Sequence, residues 1–382
     1  VHTSDRHRTT LVLRAKDIQQ IALHVGLHRL MDEAIAVLWR AFSTFDPDET
    51  IVPIRSGFNY TQPVTGLVEW MPLFQPHTHR VINKMVGYHP GNPGDRDLPS
   101  VLSTVSAYDT MSGHLVAVMD ATFLTALRTG AASAVASQIL ANPASHTLGL
   151  IGCGAQAVTQ LHALSRVCRN VERVLVYDLD PAIAASFARR VECLQLAHLN
   201  IQSVPLETLV AEADILCTAT SVEVGGGPVF VADDVKPWLH VNAIGADFPG
   251  KVEVPRSLLK SSFVCPDFRA QAVREGECQQ LEPDDIGADI CTLVQGGDRD
   301  LQHHLTVFDS TGFALEDMAV MQMMLDYATQ LEIGQRVELE GGADDAMNPY
   351  GFVTATAADL ATETLTMFSL LADRPRPCET QR

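Results

Sequence analysis

Residues 147–180 read TLGLIGCGAQAVTQLHALSRVCRNVERVLVYDLD, and this stretch decides the fold. An apolar strand ends at Ile151, a glycine turn follows, and a helical pattern leads into a second strand. Gly152 allows a sharp turn, and Gly154 allows the backbone to approach a pyrophosphate closely. The N-terminus of the following helix offers unpaired N–H groups and the positive end of the helix dipole. The stretch therefore predicts a dinucleotide-binding turn.

The acid after the second strand, Asp178, indicates which dinucleotide this is. A carboxylate at this place can accept hydrogen bonds from the adenosine ribose hydroxyls and would repel a 2′-phosphate, so it favours NAD over NADP. Ala157 stands at the third glycine position of the motif, where alanine is an allowed replacement. The alternative is a βαβ turn without a cofactor, but the strand context and the acid together favour a nucleotide site.

Further strand-like segments follow this unit, separated by helical or loop segments, at residues 200–204, 214–219, 239–244, 262–266 and 305–309. This rhythm predicts a parallel, doubly wound α/β sheet, in which ligands bind outside the carboxyl ends of the strands. Asp247 follows one such strand end and could face a nicotinamide. From its position alone, the carboxylate is either a helix cap or a general acid/base.

The region before this sheet, residues 51–118, consists of short apolar runs broken by Gly, Pro, Asn and Asp, which indicates a β-rich structure. Arg55, Glu69 and Lys84 each interrupt an apolar, strand-like segment, where a charged side chain must be paired or bind a ligand. An exposed strand face would explain any one of them alone. Together, two cations and one anion in consecutive strands could hold a zwitterion.

Residues 122–141 form a predicted helix of mostly small residues in which Arg128 is the charged exception. Its guanidinium either makes a structural ion pair or binds a carboxylate or phosphate with both arms of its fork. The sequence pattern is compatible with both interpretations.

Composition limits the class of protein. A chain of 382 residues suggests two or three domains, and a formal net charge of −19 argues against nucleic acid or an anionic membrane as a partner. No apolar run of about 18 uncharged residues is present, and the polar start VHTSDRHRTT is unlike a signal peptide. The eight cysteines are scattered without the spacing of a zinc site, so we expect a reduced, cytoplasmic protein without a metal.

Several co-linear motifs span most of residues 50–330: EWMP (69–72), KMVGYHPGNPG (84–94), LTALRTGAASAVAS (124–137), LGLIGCGAQAVTQLHAL (148–164), ATSVEVGGGP (219–228), HVNAIGADFPGK (240–251), REGECQQL (274–281) and VFDSTGFALED (307–317). Together they resemble the ornithine cyclodeaminase/μ-crystallin family, and within it the lysine-acting branch of bacterial secondary metabolism.

The resemblance implies an enzyme that converts an L-α,ω-diamino acid into a cyclic imino acid and ammonia. NAD⁺ would take a hydride from the substrate Cα, and the distal amine would attack the resulting imine. The α-nitrogen would then leave as ammonia, and the ring imine would take the hydride back. The product would be L-pipecolate from L-lysine, or L-proline from L-ornithine.

The same resemblance implies roles for individual residues. Asp247 would be the catalytic proton shuttle, and Glu69 would hold the distal ammonium near the site of ring closure. The substrate carboxylate would be bound by Arg55, Lys84 and Arg128. The NAD contacts would come from Thr104, Arg128, Thr129, Gly152, Gly154, Ala155, Gln156, Asp178, Thr220, Asp247, Lys251 and Ser310.

The resemblance also implies a domain organisation. Residues 1–125 and 312–382 would form a β-rich α+β domain for substrate binding and dimerisation. The Rossmann doubly wound parallel sheet of residues 126–311 would be inserted between its two parts. We therefore expect a homodimer whose small-molecule partner is a diamino acid, L-lysine or L-ornithine.

Three alternatives to lysine cyclodeamination follow from the same scaffold. Trp70 and residues 86–88 resemble the lysine branch, but ornithine differs by one methylene, which a pocket distinguishes by only about 1–3 kcal/mol. An NAD(P)-dependent ketimine or imino-acid reductase, or an amino-acid dehydrogenase, would instead carry out net redox chemistry. A crystallin-type binding protein without catalysis would be expected to lack Asp247 or Glu69, and both are present.

Overall fold

The computed structural model describes residues 9–296, 300–341 and 345–350. Residues 351–382, which the predicted substrate-binding domain includes, lie outside the described residues. Residues 11–335 form one compact unit. The segments Val1–Thr10 and Arg336–Arg382 are grouped as a second unit, of which the structure describes residues 9, 10, 336–341 and 345–350.

The first part of the described chain contains six strands and four helices: β1 (Thr10–Leu13), α1 (Ala15–Val25), α2 (Leu27–Ser43), β2 (Ser56–Tyr60), β3 (Gly66–Gln75), β4 (Arg80–Tyr88), α3 (Asn92–Asp95), β5 (Val101–Asp109), β6 (Leu115–Asp120) and α4 (Thr122–Leu140). These strands lie in one sheet in the order β1-β6-β5-β4-β3-β2. The β1–β6 pair is parallel, and the other pairs are antiparallel. The predicted β-rich region is therefore observed.

The chain then continues through β7 (Thr147–Ile151), α5 (Ala155–Val167), β8 (Arg173–Tyr177), α6 (Pro181–Arg190), β9 (Asn200–Ser203), α7 (Leu206–Glu212), β10 (Ile215–Thr218), β11 (His240–Ala243), α8 (Arg256–Ser261), β12 (Phe263–Pro266), α9 (Arg269–Glu275), α10 (Ile290–Val294), β13 (Thr306–Asp309), α11 (Ala314–Gln330) and β14 (Gln335–Val337). Short 3₁₀ helices lie at Pro76–Thr78, Glu192–Leu194, Glu277–Gln280, Pro283–Asp285 and Asp300–His303.

The second sheet is parallel throughout, in the order β12-β13-β11-β10-β7-β8-β9. Every residue of β7, β10, β11 and β13 is buried, as expected for a parallel sheet that is covered on both faces. The strand order reverses direction between β7 and β10, which is where such sheets bind their ligands. The five predicted strands after residue 180 are all observed, and the predicted α/β fold class is confirmed.

Strands β3 and β4 direct their charged side chains to the buried face of the first sheet. Antiparallel pairing places Glu69 opposite Val86, and Met71 opposite Lys84. Because successive side chains alternate between the two faces, Glu69, Met71 and Lys84 share one face, and all three are buried. Helix α11 packs against both strands, so the chain returns from the parallel sheet to cover the first sheet.

The opposite face of the first sheet is apolar and partly exposed. Trp70 pairs with Met85, and the exposed ring of Phe58 makes an edge contact with the Trp70 ring at 5.6 Å. Leu102 of β5 lies on the same face and is 39% exposed.

Within the described residues, no helix has both the length and the apolar run that crossing a membrane requires.

Candidate active site

The glycine turn after β7 is open to solvent where α5 begins. Gly152 has a φ of +86°, and a Cβ there would lie 2.7 Å from the carbonyl oxygen of Ala219, so only glycine fits. Gly154 and Ala155 are exposed, and no side chain caps this helix end in the part of the chain that the structure describes. Gln156 lies in the same first turn. The N–H groups of this turn can therefore receive an anion such as a pyrophosphate.

Two backbone N–H groups hold Asp178 beside this turn. Its Oδ2 accepts from the N–H of Cys153 at 2.8 Å, and its Oδ1 accepts from the N–H of Asp180 at 3.0 Å. A carboxylate oxygen can accept more than one hydrogen bond, so both oxygens retain capacity for ribose hydroxyls. Cys153 contributes its backbone here, because its side chain is fully buried and burial raises the pKa of the thiol to about 12.

Two hydroxyl groups lie just beyond other strands of the parallel sheet. Thr220 follows β10, and its Oγ1 donates to Oε1 of Glu253 at 2.6 Å. Ser310 follows β13 and is buried, and its Oγ has no hydrogen-bond partner among the described residues. A buried hydroxyl without a partner costs about 1–3 kcal/mol, a cost that a polar ligand group would remove. The turn, Asp178 and Ser310 thus fit a dinucleotide.

Arg55 joins the first sheet to loops of the parallel sheet. Its Nε lies 2.6 Å from Oε1 of Glu275 and 3.6 Å from Oε2 of Glu69. Its Nη1 donates to the carbonyl of Thr311 at 3.0 Å, and its Nη2 donates to the carbonyl of Asp247. The side chains of Arg55, Glu69 and Glu275 are only 7%, 12% and 9% exposed, so water screens these charges little.

The other two predicted cations meet at the first turn of α11. Nζ of Lys84 donates to Oδ1 of Asp317 at 2.9 Å, and Nε of Arg128 lies 3.4 Å from the same oxygen. Nη1 of Arg128 donates to Oε2 of Glu316 at 2.8 Å. Carboxylates in the first turn of a helix also interact favourably with the helix dipole. Lys84 and Arg128 are therefore neighbours that share one carboxylate.

Burial disfavours the charged form of several groups in this cluster. It raises the pKa of Glu69, and it raises the pKa of Glu275 to about 7 and that of Glu316 to about 8, although a neighbouring arginine opposes each shift. Burial also lowers the pKa of Lys84 to about 8, against the attraction of Asp317. Near neutral pH, protonation of Glu275 and Glu316 would free part of the positive charge for a ligand carboxylate.

Asp247 presents the most accessible carboxylate beside this cluster, with a side chain that is 49% exposed. Nζ of Lys251 donates to its Oδ1 at 3.1 Å and lies 5.6 Å from the centre of the Tyr88 ring. The next helix, α8, begins only at Arg256, so the helix-cap interpretation of Asp247 is wrong. Proton exchange with a bound substrate remains the prediction for this residue.

Within the described residues, two predicted cofactor contacts, Thr104 and Thr129, make no hydrogen bond to the groups above. Thr104 pairs with Met85, on the face of the first sheet opposite to Lys84. Thr129 is buried inside α4, and its hydroxyl donates to the carbonyl of Thr125 at 2.8 Å. Their roles as cofactor contacts stay predictions.

A model of the ornithine cyclodeaminase/mu-crystallin family matches residues 15–332. The chain belongs to this family. The membership predicted from the motifs is thereby confirmed.

Individual members of the ornithine cyclodeaminase/mu-crystallin family align over nearly the whole described chain. An L-lysine cyclodeaminase from Streptomyces rapamycinicus is 42% identical over 349 residues, which are 89% of this chain and 99% of the relative. A solved lysine cyclodeaminase, studied for its recognition of L-lysine, L-ornithine and L-2,4-diaminobutyric acid, is 46% identical with a TM-score of 0.86, covering 90% of this chain and 99% of that one. An archaeal alanine dehydrogenase dimer with bound NAD is 31% identical with a TM-score of 0.77, covering 87% and 100%.

Sequence analysis does not single out three acids of this chain that pair with the predicted cations. They are Glu275, Glu316 and Asp317. They lie in the motifs REGECQQL and VFDSTGFALED. Charge balance is the signal that could have found them, because three buried cations require acidic partners nearby. The acids within these two motifs are the candidates for that role.

Proposed function

We propose that this chain is a lysine cyclodeaminase, an NAD-using carbon–nitrogen lyase that converts L-lysine to L-pipecolate and ammonia. The observation that carries this proposal is the meeting of Arg55, Glu69 and the Asp247 loop in one cluster. It places a cation, an anion and an accessible carboxylate around the same space, which suits a zwitterionic diamine. Similarity to a lysine cyclodeaminase over 89% of this chain supports it.

The glycine turn would hold the cofactor. Backbone N–H groups of Gly154 to Gln156 would bind the pyrophosphate, and Asp178 would bind the adenosine ribose. Ser310 and Thr220 would bind the nicotinamide half, with Lys251 at its edge. NAD, when bound, would supply the hydride acceptor for the substrate Cα and later the hydride donor for the ring imine.

The charged cluster would orient the substrate at both ends. Arg55, Lys84 and Arg128 would share the substrate carboxylate with the acids that already pair with them. Glu69, on the same sheet face as Lys84, would attract the distal ammonium. Holding both ends folds the chain of the diamine back toward Cα, which is the geometry that ring closure needs.

Proton transfer would fall to Asp247. Its half-exposed carboxylate can take a proton from the α-ammonium before oxidation and return one to the departing nitrogen. The ammonium of Lys251, hydrogen-bonded to Oδ1, would hold the carboxylate in place for these transfers.

The decisive experiment uses L-lysine that carries a heavy nitrogen isotope at the α position, incubated with the purified protein and NAD⁺. We expect heavy ammonia and unlabelled L-pipecolate in equal amounts, without net accumulation of NADH. Steady NADH formation would instead indicate a dehydrogenase. The similarity to alanine dehydrogenase is the reason to test for this activity. Label retained in the ring would reject loss of the α-nitrogen.

Ornithine cyclodeamination to L-proline is the second candidate, and an NAD(P)-dependent imino-acid reductase is the third. The solved relative recognises L-ornithine as well as L-lysine. Because the substrates differ by one methylene, we expect activity on both, with a preference for lysine of about 10–200-fold in kcat/KM. A panel of lysine, ornithine and 2,4-diaminobutyrate, with products identified by mass, distinguishes these candidates.

We further propose a homodimer formed through the exposed apolar face of the first sheet. Phe58, Met85 and Leu102 would be covered by the same surface of a second copy. The alanine dehydrogenase relative is a dimer, which supports this assignment. Residues 1–125 with 312–382 would then be the substrate-binding and dimerisation domain, around the Rossmann domain of residues 126–311.

A cytoplasmic location is part of the proposal. The seven cysteines that the structure describes are all free thiols, which is typical of a reducing compartment.

A further inference from the structure

Glu253 is a fully buried carboxylate that binds two separate loops at the carboxyl ends of the parallel strands. Its Oε1 accepts from the backbone N–H of Thr220 at 2.7 Å and from the hydroxyl of Thr220 at 2.6 Å. Its Oε2 accepts from the N–H of Gly245 at 2.7 Å. One side chain thus links the loop after β10 to the loop after β11.

These two loops carry different parts of the proposed active site. The loop of Thr220 packs against the glycine turn, because a Cβ on Gly152 would lie 2.7 Å from the carbonyl oxygen of Ala219. The loop of Gly245 leads directly to Asp247. A Cβ on Gly245 would lie 2.3 Å from Oε1 of Glu253, so the carboxylate packs directly against this glycine and a side chain there would displace it.

Other buried carboxylates hold Glu253 in turn. Its backbone N–H donates to Oε1 of Glu277 at 2.7 Å, and the N–H of Glu277 donates to Oδ1 of Asp309 at 2.9 Å. Asp309 ends β13 and immediately precedes Ser310. The loops after three neighbouring strands are therefore connected through carboxylates that accept backbone hydrogen bonds.

We propose that Glu253 is a positioning residue that sets the distance between the cofactor-binding loop of Thr220 and the catalytic loop of Asp247. This inference rests on the proposed function for the roles of those two loops. The two loops are coupled through this side chain, so disturbing the contact of one loop with Glu253 loosens the other loop.

The first test is Glu253→Gln, which keeps the shape of the side chain but turns one of its two oxygens into a hydrogen-bond donor. The backbone N–H group of one of the two loops then faces the NH₂ group of the glutamine, which is also a donor, and loses its acceptor. We expect the dissociation constant of NAD to rise about 10-fold or more, as for a lost hydrogen bond to a charged group. At saturating NAD, kcat should also fall by about 10-fold or more, because the Asp247 loop is no longer held in place.

Asp214→Asn is the matched control. Asp214 is also buried and also accepts two backbone N–H groups, those of His146 and Thr147, each at 2.9 Å. It lies at the amino ends of β7 and β10, at the other end of the sheet from the proposed site. If Glu253 were merely structural, both variants would change kcat and NAD affinity alike at comparable losses of Tm, and that result would overturn the proposal.

A second variant tests the coupling in the NAD-free protein and does not depend on turnover. Thr220→Val removes the hydroxyl contact with Glu253 and leaves the backbone N–H in place. We expect hydrogen exchange of the Gly245 amide, on the other loop, to become about 10-fold faster as this local contact weakens. Unchanged exchange at Gly245 would overturn the proposal even if Glu253→Gln fails to fold. A failure of the proposed function can be distinguished from a failure of this inference. In the first case the parent protein would release no ammonia from lysine, while the exchange rates at Gly245 could still be measured.

Discussion

The guanidinium of Arg55 and the carboxylate of Glu275 form a buried ion pair, with Nε 2.6 Å from Oε1. Arg55 precedes the edge strand β2 of the first sheet, and Glu275 ends α9, which follows β12 of the parallel sheet. The pair therefore joins the two sheets at the proposed substrate site. Removing Arg55 would leave the Glu275 carboxylate buried without its cation, whereas removing Glu275 would leave Arg55 with Glu69 at 3.6 Å.

Glu275→Gln should alter the pH dependence of stability. Burial raises the pKa of Glu275 to about 7, against the pull of Arg55, whereas a glutamate in an unfolded chain has a pKa of about 4.3. A raised folded-state pKa means a stabilising contribution that is complete below the unfolded pKa and is lost as the pH rises through about 7. Relative to the variant, the parent should thus gain Tm on acidification. Thermal melts across this range check the trend, and a constant difference in Tm contradicts it.

Asp247→Asn should retain NAD binding but lose turnover by at least about 100-fold, the lower range for acid/base catalysis. The amide keeps the size of the side chain and its reach to Lys251 but cannot take up a proton. Titration with NAD and steady-state rates with lysine measure the two effects separately. Near-normal turnover would exclude Asp247 as the proton shuttle.

Glu69→Gln should weaken diamine binding while leaving NAD affinity unchanged. A lost charge-assisted hydrogen bond to the distal ammonium is worth about 1.5–3 kcal/mol, so KM for lysine should rise by about 10-fold or more. Turnover should fall as well, since the free amine is less well placed for ring closure. If lysine and ornithine kinetics both match those of the parent, Glu69 does not bind the distal amine.

Substrate binding should weaken as the pH rises, because Lys84 loses its positive charge. Burial lowers the pKa of Lys84 to about 8, despite the opposing charge of Asp317, so the ammonium becomes neutral as the pH rises through that value. Attraction for the substrate carboxylate then falls, and KM for lysine should rise. Lys84→Arg keeps its charge over the same range, because arginine does not lose its proton in proteins. Titration of the substrate itself is common to both proteins, so identical pH profiles would contradict the assignment.

Leu102→Asp should convert a dimer to a monomer. It places a charge on the exposed apolar face that we propose to be buried between two copies, where an unpaired carboxylate is costly. Leu23→Asp is the control, since Leu23 is 77% exposed on α1. Light scattering after gel filtration should give a dimer for the parent and the control. A parent that is monomeric, or a dimer that survives in Leu102→Asp, would exclude this face.

Much of the fold could be predicted because its signals are local. The apolar run before Gly152, the glycine turn and the strand before Asp178 follow one another along the chain, and the later strands of the parallel sheet are short apolar segments separated by helices and loops. The unusual positions of Arg55, Glu69 and Lys84 were also visible, because a charge inside an apolar strand stands out. Which groups they pair with was not.

The amino-acid sequence by itself determined the parallel sheet with its glycine turn and the set of buried charges, since both depend on residues close together in the chain. Only the tertiary structure decided that Arg55 pairs with Glu275, that Lys84 and Arg128 share Asp317, and that Thr104 faces away from Lys84. Those outcomes depend on strand register and on contacts between residues far apart in sequence, and no local pattern encodes them. The same holds for Glu253, whose role emerges only when the ends of separate strands are brought side by side.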